Sequence, residues 1–190
     1  QGRNETNVAN YVTLTDPGDG SLLTLNAMTG SMTNRIGAGA SVELGASGVL
    51  DLGTNAYSQT LPNLGGSGIV SNGVLVVAGA IAPGGTNAIG TLTVANSAGL
   101  SGTLLADVAA DGTSDRLVIV GDMNLSGLSL EIANPAQLNQ GKIYTVVSVS
   151  GALTGTFASV TVPDRRWRVR YRANGAVQLI FSGGTLFYLR

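Results

Sequence analysis

Three aspartates that lie close together in the sequence are the first candidates for chemistry. Asp107, Asp111 and Asp115 occur in the stretch Asp-Val-Ala-Ala-Asp-Gly-Thr-Ser-Asp. Carboxylate oxygens are good Ca²⁺ ligands, but this spacing does not match a calcium loop with its alternating ligands, glycine and terminal glutamate. Two acids at a suitable separation can also hydrolyse glycosidic bonds, yet no aromatic sugar platform lies nearby. The three residues stay candidates for calcium, and we favour capping of turns by their side chains.

A stripe of arginines near the end of the sequence is the second candidate. Five of the ten basic residues lie between Arg165 and Arg172, and they alternate with apolar residues in Trp167-Arg-Val-Arg-Tyr-Arg. Because side chains alternate along a strand, one face would carry four of them: Arg166, Arg168, Arg170 and Arg172. The guanidinium group binds phosphate and carboxylate groups in a bidentate manner. Three roles are open: a solvated face that discourages aggregation, pairing with acids of a neighbouring subunit, or binding of an anionic glycan, phosphate or lipid head group.

The composition argues against several classes of function. The chain has no histidine and no cysteine, so it lacks the commonest general base and any disulfide framework. Its net charge is -1, which gives no general attraction to nucleic acid. Glycine-rich pieces such as Gly65-Gly-Ser-Gly lack the Lys-Ser or Lys-Thr of a phosphate loop. We therefore expect a protein that is not an enzyme, needs no cofactor and does not bind nucleic acid.

The elements that must position these residues are short and separated by corners. The chain has 28 glycines and only 11% charged residues, against roughly 25% charged residues in typical globular proteins. Apolar residues come in short runs, so no stretch approaches the roughly 20 residues of a membrane-spanning helix. Strand-like pieces separated by Gly, Asn, Ser or Pro are predicted at Tyr11–Leu14, Leu22–Leu25, Ser41–Leu44, Val49–Leu52, Thr60–Leu61, Ile69–Val70, Val74–Val77 and Thr91–Val94.

These pieces repeat with a degenerate period of about 20 to 27 residues, which is typical of solenoids. The stretch Gly65–Leu92 represents one such repeat, with three β-branched runs between glycine, asparagine and proline corners. The strands of a β-sandwich are longer, and their turns lie eight to twelve residues apart. Short sides and frequent corners instead favour a parallel β-solenoid, whose narrow interior is filled by small apolar residues.

Several pieces, in their order along the chain, resemble bacterial autotransporter passengers. They include Gly48-Val-Leu-Asp-Leu-Gly, Gly79-Ala-Ile-Ala-Pro-Gly-Gly, Asp111-Gly-Thr-Ser-Asp-Arg-Leu-Val-Ile-Val-Gly and Tyr144-Thr-Val-Val-Ser-Val-Ser-Gly-Ala-Leu-Thr-Gly-Thr-Phe. Over roughly residues 45–160 the order is similar to the passenger-associated transport repeat and the autotransporter-associated β-strand repeat. The resemblance implies a right-handed parallel β-helix that is secreted or displayed on a bacterial cell surface.

The segment after residue 160 has a different composition and is predicted to form a cap. Seven of the nine aromatic residues lie from Tyr144 onward. A three-residue loop of Ala173, Asn174 and Gly175 would keep the apolar face of one strand opposite that of the next, pairing Tyr171 with Val177, Val169 with Leu179 and Trp167 with Phe181. We thus expect an all-β chain with a β-solenoid shaft at 1–160 and an antiparallel hairpin cap with a final strand at 161–190.

The ends of such a shaft carry unpaired backbone groups, which must be capped or used for assembly. The final strand follows Gly183-Gly184 and consists of Thr185, Leu186, Phe187, Tyr188 and Leu189. It is an attractive donor for strand addition to a neighbour. The acceptor would be Tyr11–Leu25, in a possible N-terminal assembly segment at residues 1–25, or the last repeat. The sequence predicts a structural subunit of a surface fibre with itself as partner. An adhesin-like module that binds an anionic glycan through the arginines is the alternative.

Overall fold

The computed structural model describes residues 11–14, 22–24, 36, 39–53, 58–95 and 99–183, and the backbone alone at 11–14 and 22–24. Within these residues the regular secondary structure consists of strands and two short 3-10 helices, Leu125–Gly127 and Pro135–Gln137, which are joined by turns and loops. No helix in the described part of the chain has the length and apolar character needed to cross a membrane.

The strands follow one another in short steps, most of them two to five residues long. In chain order they are β1 Tyr11–Leu14, β2 Leu22–Thr24, β3 Ser41–Leu44, β4 Val49–Asp51, β5 Ser58–Leu61, β6 Leu64–Gly66, β7 Ile69–Ser71, β8 Val74–Val77, β9 Ala80–Pro83, β10 Thr91–Ala95, β11 Gly99–Leu100, β12 Gly102–Ala106, β13 Arg116–Ile119, β14 Met123–Asn124, β15 Leu128–Ile132, β16 Ile143–Val149, β17 Leu153–Thr154, β18 Ser159–Thr161, β19 Trp167–Tyr171 and β20 Ala176–Phe181.

From β3 to β18, successive strands belong to different sheets, and every third strand returns to the same sheet. One sheet has the order β1-β3-β6-β9-β12-β15-β18, and a second has the order β2-β4-β7-β10-β13-β16-β20-β19. A third contains β5, β8 and β11, and β14 pairs separately with β17. All pairs up to β18 are parallel, from β1 with β3 to β15 with β18. The predictions of an all-β chain and of parallel strands are confirmed.

Aliphatic residues in register form columns across each sheet. In the seven-stranded sheet one column consists of Val42, Leu64, Ile81, Leu104, Leu130 and Val160. In the eight-stranded sheet another consists of Leu50, Val70, Val94, Ile119 and Val149. Apart from Val160, all of these side chains are buried. Because parallel strands lie about 4.8 Å apart, each aliphatic group packs on its counterpart in the neighbouring strand.

The number of residues that separates paired strands covers a wider range than the predicted 20 to 27. The side chain of Asn63 accepts a hydrogen bond from Ala80, 17 residues further along the chain, whereas Ser159 donates to Ser129 across 30 residues. The predicted period was too narrow because extra residues lie in corners such as the connection between β15 and β16. Such insertions lengthen a connection without changing which residues enter the columns.

The pairing becomes antiparallel after β18. The strand β20 pairs with β16, and β19 pairs with β20 in the register Trp167 with Phe181, Val169 with Leu179 and Tyr171 with Val177. The predicted hairpin and its register are therefore confirmed. Trp167, Val177 and Leu179 are buried, so the hairpin continues the eight-stranded sheet and its inner face extends the apolar core.

Candidate functional site

Two of the three candidate aspartates meet in a buried polar centre at the end of β12. An isolated bridge between Val108 and Ser114 closes the connection from β12 to β13 and brings Asp107 next to Asp115. The Asp107 N–H donates to Asp115 Oδ2 at 2.9 Å, and the Asp115 N–H donates to the Asp107 carbonyl oxygen at 2.8 Å. The N–H of Gly90, which precedes β10, donates to Asp115 Oδ1 at 2.8 Å. Asp115 thus joins its own connection to the preceding turn of the chain.

Burial dominates the electrostatics of this centre. Asp115 is 1% exposed, and burial raises the pKa of its carboxyl to about 6, with the nearby Asp107 adding to the effect and the two backbone N–H groups opposing it. Asp107 is also buried, and its Oδ1 atom has no hydrogen-bond partner. Both oxygens of Asp115 face N–H donors, which suits an anion and not the coordination of a cation.

Asp111 does not join the other two aspartates. It lies at an exposed turn, where its Oδ1 accepts from the Thr113 N–H at 2.8 Å and from the Thr113 hydroxyl at 2.7 Å. These bonds hold the pKa of Asp111 below its ordinary value. No cluster of three or more metal-ligating side chains occurs in the described residues. The structure therefore does not assemble Asp107, Asp111 and Asp115 into a calcium site, and turn capping accounts for Asp111.

The arginine stripe is divided into two parts by its contacts. Arg166 donates to Asp164 Oδ2 from Nε at 2.9 Å and from a terminal nitrogen at 2.6 Å. Its guanidinium also lies 4.9 Å from the centre of the Phe181 ring. The pair lowers the pKa of Asp164 and raises that of Arg166. Arg166 is thus engaged within the hairpin.

The other three arginines lie along the outer face of β19 and its loop. Arg168 and Arg172 are exposed. Arg170 is partly buried and donates to Gln178 at 2.7 Å, and Gln178 in turn donates to Thr145 at 3.3 Å. The Nε atom of Arg170 is buried without a hydrogen-bond partner. Because this atom has no accessible surface, an acceptor from solvent does not reach it, and the accessible charges of this part of the stripe are those of Arg168 and Arg172.

Aromatic residues fix the hairpin on which these arginines lie. Trp167 packs against Tyr144 with ring centres 6.0 Å apart and against Phe181 at 5.2 Å. The Tyr171 hydroxyl accepts from the Phe157 N–H at 2.9 Å, and the two rings are 6.3 Å apart. The concentration of aromatic residues was visible in the sequence, and their contacts join the hairpin to Tyr144 of β16 and to Phe157, which precedes β18.

Amide side chains that the sequence did not single out join successive turns of the chain. Gln59 is fully buried and bonds to both the N–H and the carbonyl of Ile36 at 3.0 Å. Asn134 does the same for Val108, accepting at 2.8 Å and donating at 3.0 Å. Asn63 donates to Ser41 and accepts from Ala80. Asn72 and Asn87 have left-handed backbone conformations, whereas these other amides act through their side chains.

The predicted assembly residues Thr185, Leu186, Phe187, Tyr188 and Leu189 lie outside the described residues, as do residues 1–10 and 15–21. Of the predicted acceptor at residues 1–25, β1 and β2 are described, and each pairs in parallel with the next strand of its sheet.

No protein-family model, curated protein or solved structure matches this chain.

Proposed function

We propose that this chain is a non-enzymatic structural protein, a right-handed β-solenoid subunit of a bacterial surface fibre that assembles by strand addition. One observation carries the proposal: the aliphatic columns run without interruption through five successive strands of each main sheet. A chain that repeats one packing unit along an axis builds length and stiffness. The polar side chains support the same purpose, because Gln59, Asn63 and Asn134 bond one turn of the chain to another.

The right-handed sense rests on a general preference. Each parallel pair in these sheets is joined by a connection that visits the other faces before it returns, and parallel strand crossovers are right-handed in nearly all proteins. The extracellular bacterial setting rests on the likeness of residues 45–160 to autotransporter passengers. A charge-poor shaft with hydrogen-bonded corners suits exposure on a surface, since few of its interactions depend on salt.

The proposed assembly uses the unpaired edge of the last strand of a sheet. A parallel sheet presents unpaired N–H and C=O groups at its last strand, and such an edge templates pairing with another chain. In our proposal the donor is the uncharged segment Thr185–Leu189, which follows a pair of glycines that let the chain change direction.

The experiment removes Thr185–Arg190 and follows assembly by light scattering and electron microscopy. We expect the full chain to form filaments or oligomers, whereas the truncated chain stays dispersed with an unchanged circular dichroism spectrum. Arg190→Ala is the matched control, since it alters the same end but keeps the five donor residues. Filaments that persist unchanged after truncation would refute assembly by this strand.

An adhesin that binds an anionic glycan is the second candidate, and the two exposed arginines of the stripe, Arg168 and Arg172, favour it. The same samples distinguish the two functions when they are passed over an immobilised sulfated polysaccharide. A full chain that stays dispersed but binds this surface, with an affinity that falls as salt rises, would support adhesion in place of fibre formation.

A further inference from the structure

The strand β18 ends the seven-stranded sheet with an uncovered edge. In the described part of the chain it pairs with β15 alone. Val160 is in register with Leu130 and continues the aliphatic column, yet it is 37% exposed, whereas Leu104 and Leu130 are fully buried. The column therefore reaches the end of this sheet with an apolar residue in contact with solvent.

The eight-stranded sheet ends differently, and the two sheets therefore end at different heights. The hairpin adds two strands beyond β16, whereas β18 is a single strand beyond β15. A second copy that stacked its whole first turn on this end would need to continue both parallel sheets at once. The strand β19 already occupies the position in the eight-stranded sheet that a strand of the second copy would need. The step leaves room for one added strand beside β18, and not for a complete turn.

We propose that the edge of β18 accepts the segment Thr185–Leu189 of a second copy of this chain. This inference rests on the proposed function and identifies the acceptor, which the sequence left open. The segment carries no charge and has apolar residues on both faces of an extended strand. In either strand direction it places apolar side chains over Val160.

The chain path favours a second copy over the same molecule. The connection between β18 and β19 runs from the seven-stranded to the eight-stranded sheet, and the Ser182 N–H donates to the Arg166 carbonyl oxygen at 2.8 Å at its far end. A segment that leaves Ser182 for the free edge of β18 must cross over this connection. Crossed connections at one edge of a sheet are avoided in proteins, whereas a strand from another molecule enters without crossing.

The backbone identifies the groups that receive the added strand. The Ala158 N–H donates to the Leu128 carbonyl oxygen at 2.7 Å, so this residue bonds toward β15. The Ala133 N–H donates to the Ala106 carbonyl oxygen, and because ladder bonds alternate along a strand, the backbone groups of Leu128 and Leu130 face β18. In the register of Ser129 with Ser159 and Glu131 with Thr161, the N–H groups of Ser159 and Thr161 therefore donate to β15, and the N–H of Val160 points to the uncovered edge. Proline at position 160 removes a donor from that edge and keeps the bonds to β15.

The first test compares Val160→Pro with Val160→Ile in the full chain, using sedimentation velocity. Both variants keep an apolar side chain at this position, but only proline removes the edge N–H. We expect Val160→Pro to weaken self-association by roughly tenfold or more, and Val160→Ile to stay within about threefold of the parent chain. If the parent chain associates and Val160→Pro associates equally well, the acceptor assignment is wrong while fibre formation stands. If the parent chain does not associate, the proposed function itself fails.

The second test remains informative if Val160→Pro does not fold. The chain has no cysteine, so single substitutions give unambiguous disulfides. Chains with Thr161→Cys are mixed with chains carrying Thr185→Cys, Phe187→Cys or Leu189→Cys and oxidised. A disulfide needs Cβ atoms about 3.5–4.5 Å apart, so we expect a covalent heterodimer for at least one pair and none when Thr103→Cys, within the same sheet, replaces Thr161→Cys. The proposal would be overturned if no pair gives a heterodimer. It would also be overturned if a chain that carries both cysteines forms the disulfide only within one molecule.

Discussion

Asp115 is the residue whose ionisation is most strongly tied to folding. It is almost fully buried, and its carboxyl accepts backbone bonds from Asp107 and from Gly90. These bonds favour the charged form, yet burial prevails and the pKa rises from 3.8 to about 6. The group therefore binds its proton more tightly in the folded chain than in the unfolded chain.

Asp115 should consequently make the protein less stable as the pH rises from about 4 to about 6. The contribution to the free energy of unfolding is fully present below pH 4 and is lost as the pH passes the folded pKa, with a change of up to about 3 kcal/mol. Urea unfolding of the parent chain and of Asp115→Asn between pH 4 and 7 measures it, because the asparagine cannot titrate. A constant difference between the two proteins would contradict the prediction.

Asp111→Asn provides the control for that series. The pKa of Asp111 is lowered from its ordinary value of 3.8 by its bonds to Thr113, so any contribution it makes is present above about pH 4 and is lost as the pH falls through the lowered pKa. Between pH 4 and 7 the stability of Asp111→Asn should therefore differ from that of the parent chain by a nearly constant amount. A difference that changes with pH as it does for Asp115→Asn would point to a general effect of removing a carboxylate.

At the scale of the element, the terminal hairpin depends on one glycine. Gly175 has φ +78°, and a Cβ atom there would lie 2.0 Å from the Val149 carbonyl oxygen. The Val149 N–H donates to the Gly175 carbonyl at 3.0 Å, so neither backbone segment can move away without breaking a bond. The turn of the hairpin is thus built directly against β16.

Gly175→Ala should destabilise the cap by at least about 2 kcal/mol, because it adds left-handed backbone strain to a backbone clash. Trp167 is the only tryptophan and lies in the hairpin, so its fluorescence in urea reports on the cap. Gly183→Ala is the matched control, since nothing lies within 4 Å of its added Cβ atom, and it should stay within about 0.5 kcal/mol. Equal effects of the two substitutions would show that the turn tolerates a side chain.

The hairpin was predictable from the sequence because its alternation admits one register that keeps Trp167, Val169 and Tyr171 opposite apolar partners. Strands such as Ser41–Leu44 and Val74–Val77 were predictable for the same reason. The meeting of Asp107 with Asp115 was not, since it depends on the Val108–Ser114 bridge and on Gly90 from the preceding turn. Gln59 was equally hidden, because an amide that bonds to a distant backbone leaves no local pattern.

At the scale of the whole molecule, stability is distributed along columns in which each residue packs mainly on its two neighbours. Such a chain approximates a sum of repeat and interface terms, so a substitution should cost most where both neighbours are present. Val70 lies between Leu50 and Val94 and is fully buried, whereas Val160 has Leu130 on one side and is 37% exposed. Replacing each valine by alanine makes the same chemical change at a position with neighbours on both sides and at a position with a neighbour on one side.

Val70→Ala should therefore lower the free energy of unfolding by roughly 2–3 kcal/mol, through lost burial and the cavity left behind, whereas Val160→Ala should cost less than about 1 kcal/mol in the dispersed chain. Urea unfolding monitored by circular dichroism measures both. If a second copy covers Val160 in the assembled form, the cost of Val160→Ala should rise toward that of Val70→Ala when unfolding is repeated on assembled protein. A cost for Val160→Ala in the dispersed chain that already equals that of Val70→Ala would mean that the end of the column is closed within a single molecule.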